Sequence, residues 1–290
     1  MELVPARTNR ILDIKSIKRI HIIEVYNELL YGESKLAIGT LKYINNILSS
    51  MLAQAVYNNF IYMNPAESIL RELCDYDNSI RTALTIEEQK SFLAYVKRSY
   101  ASVASMFIIA FGTGLRIGEL AALTWEDIDL ENNSINVDKT LYYPKWNEGE
   151  YVVGEPKTMH AYRSVPIIES VREAICRHKE NKKMHYRNNE FVFLTRNGTP
   201  YSSNTMNALI RRIVEKNNSG EGIVMKYFSS HIMRHSFATR CFEAGMDVKI
   251  IQSVLGHSRI ETTMDIYVHC CKELLERDLG GLDIYMREHN

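Results

Sequence analysis

The chain lacks any apolar run long enough to cross a bilayer. Its longest, from Met106 to Leu115, is broken by Gly112, Thr113 and Gly114, whereas a spanning helix needs about 20 apolar residues. It also lacks a cysteine pair at CxxC spacing. The five cysteines (Cys74, Cys176, Cys241, Cys270 and Cys271) are odd in number and irregularly placed. That pattern speaks against a disulfide framework and for reduced, intracellular thiols. Met1 to Arg10 carries no apolar h-region, so no secretory signal is expected and the cytoplasm is the expected location. Neither sign of charge is in excess: 35 Lys and Arg stand against 35 Asp and Glu. The whole molecule therefore has no monopole to draw it to nucleic acid, and DNA binding would need a segregated basic face. Internal repeats and low-complexity segments are absent too, which leaves solenoids and disordered tails out of account.

What is present reads as ordinary globular protein. Of the 290 residues 46% are apolar and 24% charged, enough for one large domain or two of common size. Residues 11–64 show apolar positions at helical spacing in IKSIKRIHIIEVYNELL and IGTLKYINNILSSMLAQAVYNNF, with YGES as the break. Asn64-Pro65 is expected to end the second helix, because the residue before proline is pushed out of the helical region. Residues 75–84 have little periodicity and read as a linker. Thr85 and Glu88 then form a capping box that opens a new helical unit. SINVDKTLYY, YVVG and RSVPI have strand character around a turn-like KWNEGE, and Asn197-Gly198 signals a hairpin. From Ser203 onward the pattern is helical again, with breaks at residues 217–222, Gly245 and Gly256. The expected fold is mainly α: a small helical N-terminal domain, then a larger helical domain with a small antiparallel sheet.

Five stretches bear on chemistry, and each has an ordinary explanation when taken alone. In GTGLRIGELAALTWEDI, Arg116 and Glu119 are three residues apart and share a helix face, as a surface ion pair would. Arg116, however, follows a Gly-Thr-Gly break inside an apolar helix, which favours a cleft over a solvated face. In HIMRHSFATRCFEAG, His231 shares a face with Arg234 and lies one turn from His235. The HExxH zinc pattern fails, because Ile232 stands where it needs Glu. LGHSRIETTMDIYVH supplies His257 and, ten residues on, Tyr267, in a chain with 17 tyrosines. EPKTMHAYRSVPI places Lys157 at a hairpin edge, where lysine commonly only discourages aggregation. Residues 171–190 carry six Lys and Arg and two His against three Glu, which suits a solvated helix face or a DNA contact.

Taken in order, TGLRIGEL, HIMRHSFAT and LGHSRIETTMDIYVH resemble the signatures of the tyrosine recombinase (phage integrase) family. The resemblance runs from about Thr85 to the end of the chain, and AVYNNFIYMNPAESI is similar to part of the family's core-binding domain. It implies the tyrosine recombinase fold, with a DNA-binding core-binding domain at residues 1–74, a linker at 75–84 and a catalytic domain at 85–290. The helix that precedes ILDIKSIKRI in the family, and the arm-binding domain many integrases carry, do not fit into Met1 to Arg10, so an N-terminally shortened chain is expected.

The resemblance also assigns roles. Arg116 and Arg234 would clamp the nonbridging oxygens of a phosphodiester and stay protonated at working pH. Tyr267 would be the nucleophile, His231 its general base, and Lys157 the acid that protonates the leaving 5′ oxygen. His257 would hydrogen-bond the phosphate and Glu119 would orient its neighbours. The 3′-phosphotyrosyl product keeps the bond energy, so rejoining would need neither ATP nor a divalent metal, and no cofactor is expected. The implied partners are double-stranded DNA, further copies in a tetramer on two DNA sites with the C-terminal tail docking in trans, and a directionality factor. Integration or excision of a mobile element is the expected activity. A chromosome-dimer or plasmid resolvase, a DNA-relaxing relative and a non-catalytic DNA-binding protein are the alternatives.

Overall fold

The computed structural model describes residues 13–33, 35–73, 83–144, 149–156, 159–182, 190–220, 223–258, 260, 263–264 and 286–287. The chain divides into two compact units, Met1–Ile80 and Arg81–Asn290.

In the first unit α1 (Arg19–Tyr31), α2 (Ile38–Tyr57) and α3 (Ile69–Leu73) enclose a small core of Ile22, Tyr26, Leu41, Leu52, Ala66, Ile69 and Leu70. The Tyr26 hydroxyl, buried with them, donates to Asn45 Oδ1 at 3.0 Å, and burial pushes it up to about 12. Helix α2 stops at Tyr57, seven residues before the expected Asn64-Pro65 stop. Asn58 caps it and Asn59 adopts a left-handed φ of 59°, a conformation asparagine tolerates better than most residues. Asn64 instead braces the loop beyond the helix. Its side chain donates to Ser49 O and Oγ, each at 3.0 Å, and accepts from Ala66 N.

The second unit is built around α5 (Ala101–Thr113), whose residues are apolar on nearly every side. Such a helix belongs in the middle of a fold. It is surrounded by α4 (Ile86–Ser99), α7 (Glu169–Lys182) and α9 (Ser230–Glu243). Phe92 of α4 stands edge-on to Phe107 and Phe228, with centroids 5.1 and 4.9 Å away. The capping box that opens α4 is present: Glu88 N donates to Thr85 Oγ1 at 3.1 Å and Thr85 N to Glu88 Oε2 at 2.9 Å. Leu84, placed in the linker by its sequence context, is buried, and its N–H donates to Ser236 Oγ of α9.

After the short α6 (Ile117–Ala122) come β1 (Ile128–Asp129), β2 (Ser134–Val137), β3 (Thr140–Tyr142), β4 (Val152–Gly154) and β5 (Arg163–Pro166). Among the described residues all strand pairings are antiparallel, but they form two sheets, β1-β2-β5 and β3-β4. SINVDKTLYY is therefore divided between sheets. The break falls at Asp138-Lys139, where Lys139 Nζ turns in to Asp127 Oδ1 at 2.6 Å. Ile135 faces Val165 across β2-β5, and both are fully buried.

Asn197-Gly198 does make a turn, with Gly198 at φ 76° and Thr195 N donating to Thr199 O, but no hairpin strands flank it. The preceding residues are engaged elsewhere. Val192 N donates to Leu123 O, Phe191 bridges to Thr124, and Val192 and Phe193 are buried in the main core. Helices α8 (Ser203–Asn218), α9 and α10 (Val248–Leu255) end at Asn218, Glu243 and Leu255, in keeping with the expected breaks. Helix α7 takes up the first part of the basic stretch 171–190, with Val171, Ala174 and Ile175 inside and Arg172 bonded to Leu130 O and Asn133. Among the described residues no helix is long and apolar enough to cross a membrane.

Candidate active site

The site forms where three chain reversals meet. The first is the end of α5. Gly114 takes φ 63°, and a Cβ there would lie 2.4 Å from Phe237 Cδ1, so only glycine fits this close approach. The reversal delivers Arg116 as the residue that caps α6, not as a residue inside an apolar helix as its sequence context suggests. Its backbone N–H donates to Glu119 Oε2 at 2.8 Å and its Nη1 to Glu119 Oε1 at 2.8 Å. This is no surface pair. The Glu119 side chain is 3% exposed, and only Arg116, at 38%, opens toward solvent.

The second reversal is the end of α10, where Gly256 takes φ 65°. The last carbonyls of a helix have no partner within the helix and carry the negative end of its dipole. Here three guanidiniums serve three consecutive ones. Arg163 Nε donates to Val254 O at 2.6 Å, Arg234 Nη2 to Leu255 O at 2.5 Å and Arg116 Nη2 to Gly256 O at 3.0 Å.

The third reversal leads into α9, where Asn207 Oδ1 accepts from Ser230 N. His231 sits exposed on the first turn. Arg234, one turn on, is 7% exposed, and its Nη1 donates to Gly114 O at 2.9 Å. His257 follows Gly256 directly, with Nδ1 2.9 Å from the hydroxyl of the buried Thr263.

Charge follows from this geometry. Burial works against the Glu119 carboxylate, but hydrogen bonding and charge from Arg163, together with Arg116, outweigh it and hold the carboxyl below its ordinary value. Burial, then the charge of Arg116, pushes Arg234 down to about 9, so it remains a cation at neutral pH. Burial, then Arg234 and Arg116, pushes His257 down to about 3 and keeps its imidazole neutral. Three guanidiniums around one carboxylate leave positive charge in excess, a setting suited to an anion held by forked hydrogen bonds. Among the described residues no three His, Cys, Asp or Glu side chains come together as metal ligands would.

Of the residues singled out in the sequence, Arg116, Glu119, Arg234 and His257 are brought together, and His231 lies one helical turn from Arg234. Lys157 and Tyr267 fall outside the described residues, as does most of the tail after Tyr267. Arg163 is a member of the site that its sequence motif does not single out. The available signal is period-two alternation: it has the same parity as the fully buried Val165, so the strand places a charge on its inward face.

Comparison with known proteins places the chain as a whole. A transposase from transposon Tn916 of Enterococcus faecalis is 31% identical over 236 residues, covering 78% of this chain and 58% of the relative. The chain thus spans little more than half the length of that relative. A tyrosine recombinase described as XerC-like, from Caldanaerobacter subterraneus, is 29% identical over 286 residues, covering 89% of this chain and 68% of the relative. Among solved structures, the Tn1549 transposon integrase in complex with transposon right end DNA superposes with a TM-score of 0.79 at 30% identity, covering 92% of this chain and 87% of that one. Residues 82–273, well over half of the sequence, match the model of the phage integrase family. On that match the chain belongs to the phage integrase family.

Proposed function

We propose that the protein is a site-specific tyrosine recombinase that cuts and rejoins DNA to integrate or excise a mobile element. The observation that carries this reading is the convergence of Arg116, Arg234 and the neutral His257 on one electropositive nook. Two forked cations suit the nonbridging oxygens of a phosphodiester, whose charge grows in the transition state. Tyr267 Oη attacks phosphorus while the bond to the 5′ oxygen breaks. His231 takes the phenolic proton and Lys157 supplies one to the leaving oxygen. We assign the proton of the neutral His257 to Nε2, with Nδ1 accepting from the Thr263 hydroxyl, so that Nε2–H donates a hydrogen bond to the phosphate. No ATP or metal enters the balance, because the phosphotyrosyl bond conserves the energy that a second strand's 5′-hydroxyl uses to rejoin. The helices of residues 1–74 grip the DNA, the protein acts in a prokaryotic cytoplasm, and four copies assemble on two sites with each tail docking on a neighbour.

Covalent capture tests the reading. The protein is incubated with host DNA in excess EDTA, and the DNA linked to it is sequenced. Recovery of a defined site bearing a 3′-phosphotyrosyl link is expected, and absence of adducts, or a strict need for metal, overturns the reading. The likeness to the XerC-like recombinase supports a second reading, a chromosome-dimer resolvase. Captured sites at the ends of a mobile element favour the first, and a single chromosomal locus favours the second.

A further inference from the structure

We propose that Arg163 is a positioning residue for strand cleavage, acting through Glu119 on Arg116; the proposal rests on the recombinase reading. Arg163 lies on β5, six residues beyond Lys157, and its side chain is 5% exposed. Its Nη2 donates to Glu119 Oε2 at 2.8 Å and its Nη1 to Glu119 Oε1 at 3.1 Å, a fork on both carboxylate oxygens. Nη1 also donates to Ala161 O at 3.1 Å, and Nε reaches Val254 O. These contacts take up four of the five donors of the guanidinium, and the group is sealed from solvent, so it is built to hold neighbours and not to meet DNA.

Its neighbours belong to two of the three reversals that form the site. Glu119 fixes Arg116, and Val254 lies at the end of the helix that presents His257. The packing between them is tight: a Cβ on Gly256 would come within 3.1 Å of Arg163 Cδ and Nη1. Without Arg163 the buried Glu119 carboxylate would have Arg116 as its remaining cation. Arg116 would then be drawn into a fork with Glu119 and away from Gly256 O, turning its donors from the phosphate. A misplacement on the ångström scale can cost about 100-fold in rate.

The test compares Arg163→Lys, Arg163→Met and the charge-free double variant Arg163→Met/Glu119→Gln with the unaltered full chain. The double variant guards against misfolding, because no lone buried carboxylate remains. Three readouts are taken: single-turnover adduct formation on a duplex recovered by covalent capture, affinity for that duplex, and the side-chain NMR signals of Arg116. Adduct formation is expected to fall by about 100-fold in Arg163→Met, and also in the double variant, where the neutral amide at position 119 no longer anchors Arg116 by charge. Arg163→Lys should recover part of the loss, duplex affinity should stay within about threefold, and the Arg116 signal should shift in every variant. A folded double variant that cleaves like the unaltered chain, or an unmoved Arg116 signal, overturns the proposal. If the unaltered chain forms no adduct on any duplex, the recombinase reading falls, and the Arg116 signal alone decides whether Arg163 positions it.

Discussion

Arg234 donates to the backbone carbonyl of Gly114, 120 residues earlier in the chain, at 2.9 Å. A buried cation is thus held by a carbonyl that a left-handed glycine turns toward it. Gly114→Ala should therefore damage the site as well as the turn. The added methyl would meet Phe237 Cδ1 at 2.4 Å at a residue with φ 63°, and backbone strain of this kind costs about 1–3 kcal/mol before the clash is counted. Gly245→Ala is the control, since Gly245 has φ 76° with nothing within 4 Å. Thermal melting should show Gly114→Ala several degrees below Gly245→Ala; equal melting temperatures would mean that the close packing at Gly114 is unimportant.

Arg116→Lys keeps the charge but loses the planar fork that reaches Glu119 and Gly256 O together. Cleavage should fall by about 100-fold or more while DNA affinity changes little. Near-normal cleavage would reduce Arg116 to a partner of Glu119.

Tyr267→Phe removes a single hydroxyl. Duplex binding should persist and covalent adducts should vanish, which a denaturing gel of protein-linked DNA measures directly. Adducts that survive would transfer the role of nucleophile to another tyrosine, with Tyr285 the first to examine.

Acid should weaken the second unit in two stages. His257, pushed down to about 3 by burial and the arginines, stays neutral in the folded protein, whereas in the unfolded chain it gains a proton near 6.5. Unfolding therefore takes up a proton between those limits, and stability is lost as pH falls from 6.5 toward 3. Glu119, held below its ordinary 4.5, adds stability that is present above that value and lost as pH falls through the lower folded one. Melting temperatures measured between pH 7 and 5 should decline, and His257→Asn should flatten the slope. An unchanged slope would mean that His257 titrates like an exposed imidazole.

The tail offers a fifth test. Gly280-Gly281 is followed by Leu282, Ile284, Tyr285 and Met286, an apolar set that calls for a surface to cover it. Deleting residues 282–290 should leave half-site binding intact and impair assembly on paired sites, as gel-shift and light-scattering measurements would show. Full assembly by the truncated chain would exclude trans docking.

Much of this was legible residue by residue. Thr85 and Glu88 announced the start of α4 because a capping box is a local arrangement, completed within one turn. Gly245 and Gly256 marked helix ends for the same reason: the left-handed cap is decided by the residue that adopts it. Elsewhere the local signals gave way. Asn64-Pro65 did not end α2, because Asn58 and Asn59 had already turned the chain. Asn197-Gly198 turned without making a hairpin, because Phe191, Val192 and Phe193 were already committed to Leu123, Thr124 and the core.

The site divides along the same line. Residue types at set spacings are a property of the sequence, and Arg116 with Glu119, His231 with Arg234, and the motif of His257 were readable from it by themselves. Only the tertiary structure decided that Arg116, Arg163 and Arg234 would each serve one of the consecutive carbonyls of Val254, Leu255 and Gly256, and that Arg163 would close on Glu119 across 44 residues of chain. The reason is physical. A helix end exposes its orphan carbonyls whatever its sequence, and which cations answer them depends on which elements the packing of α5 brings alongside.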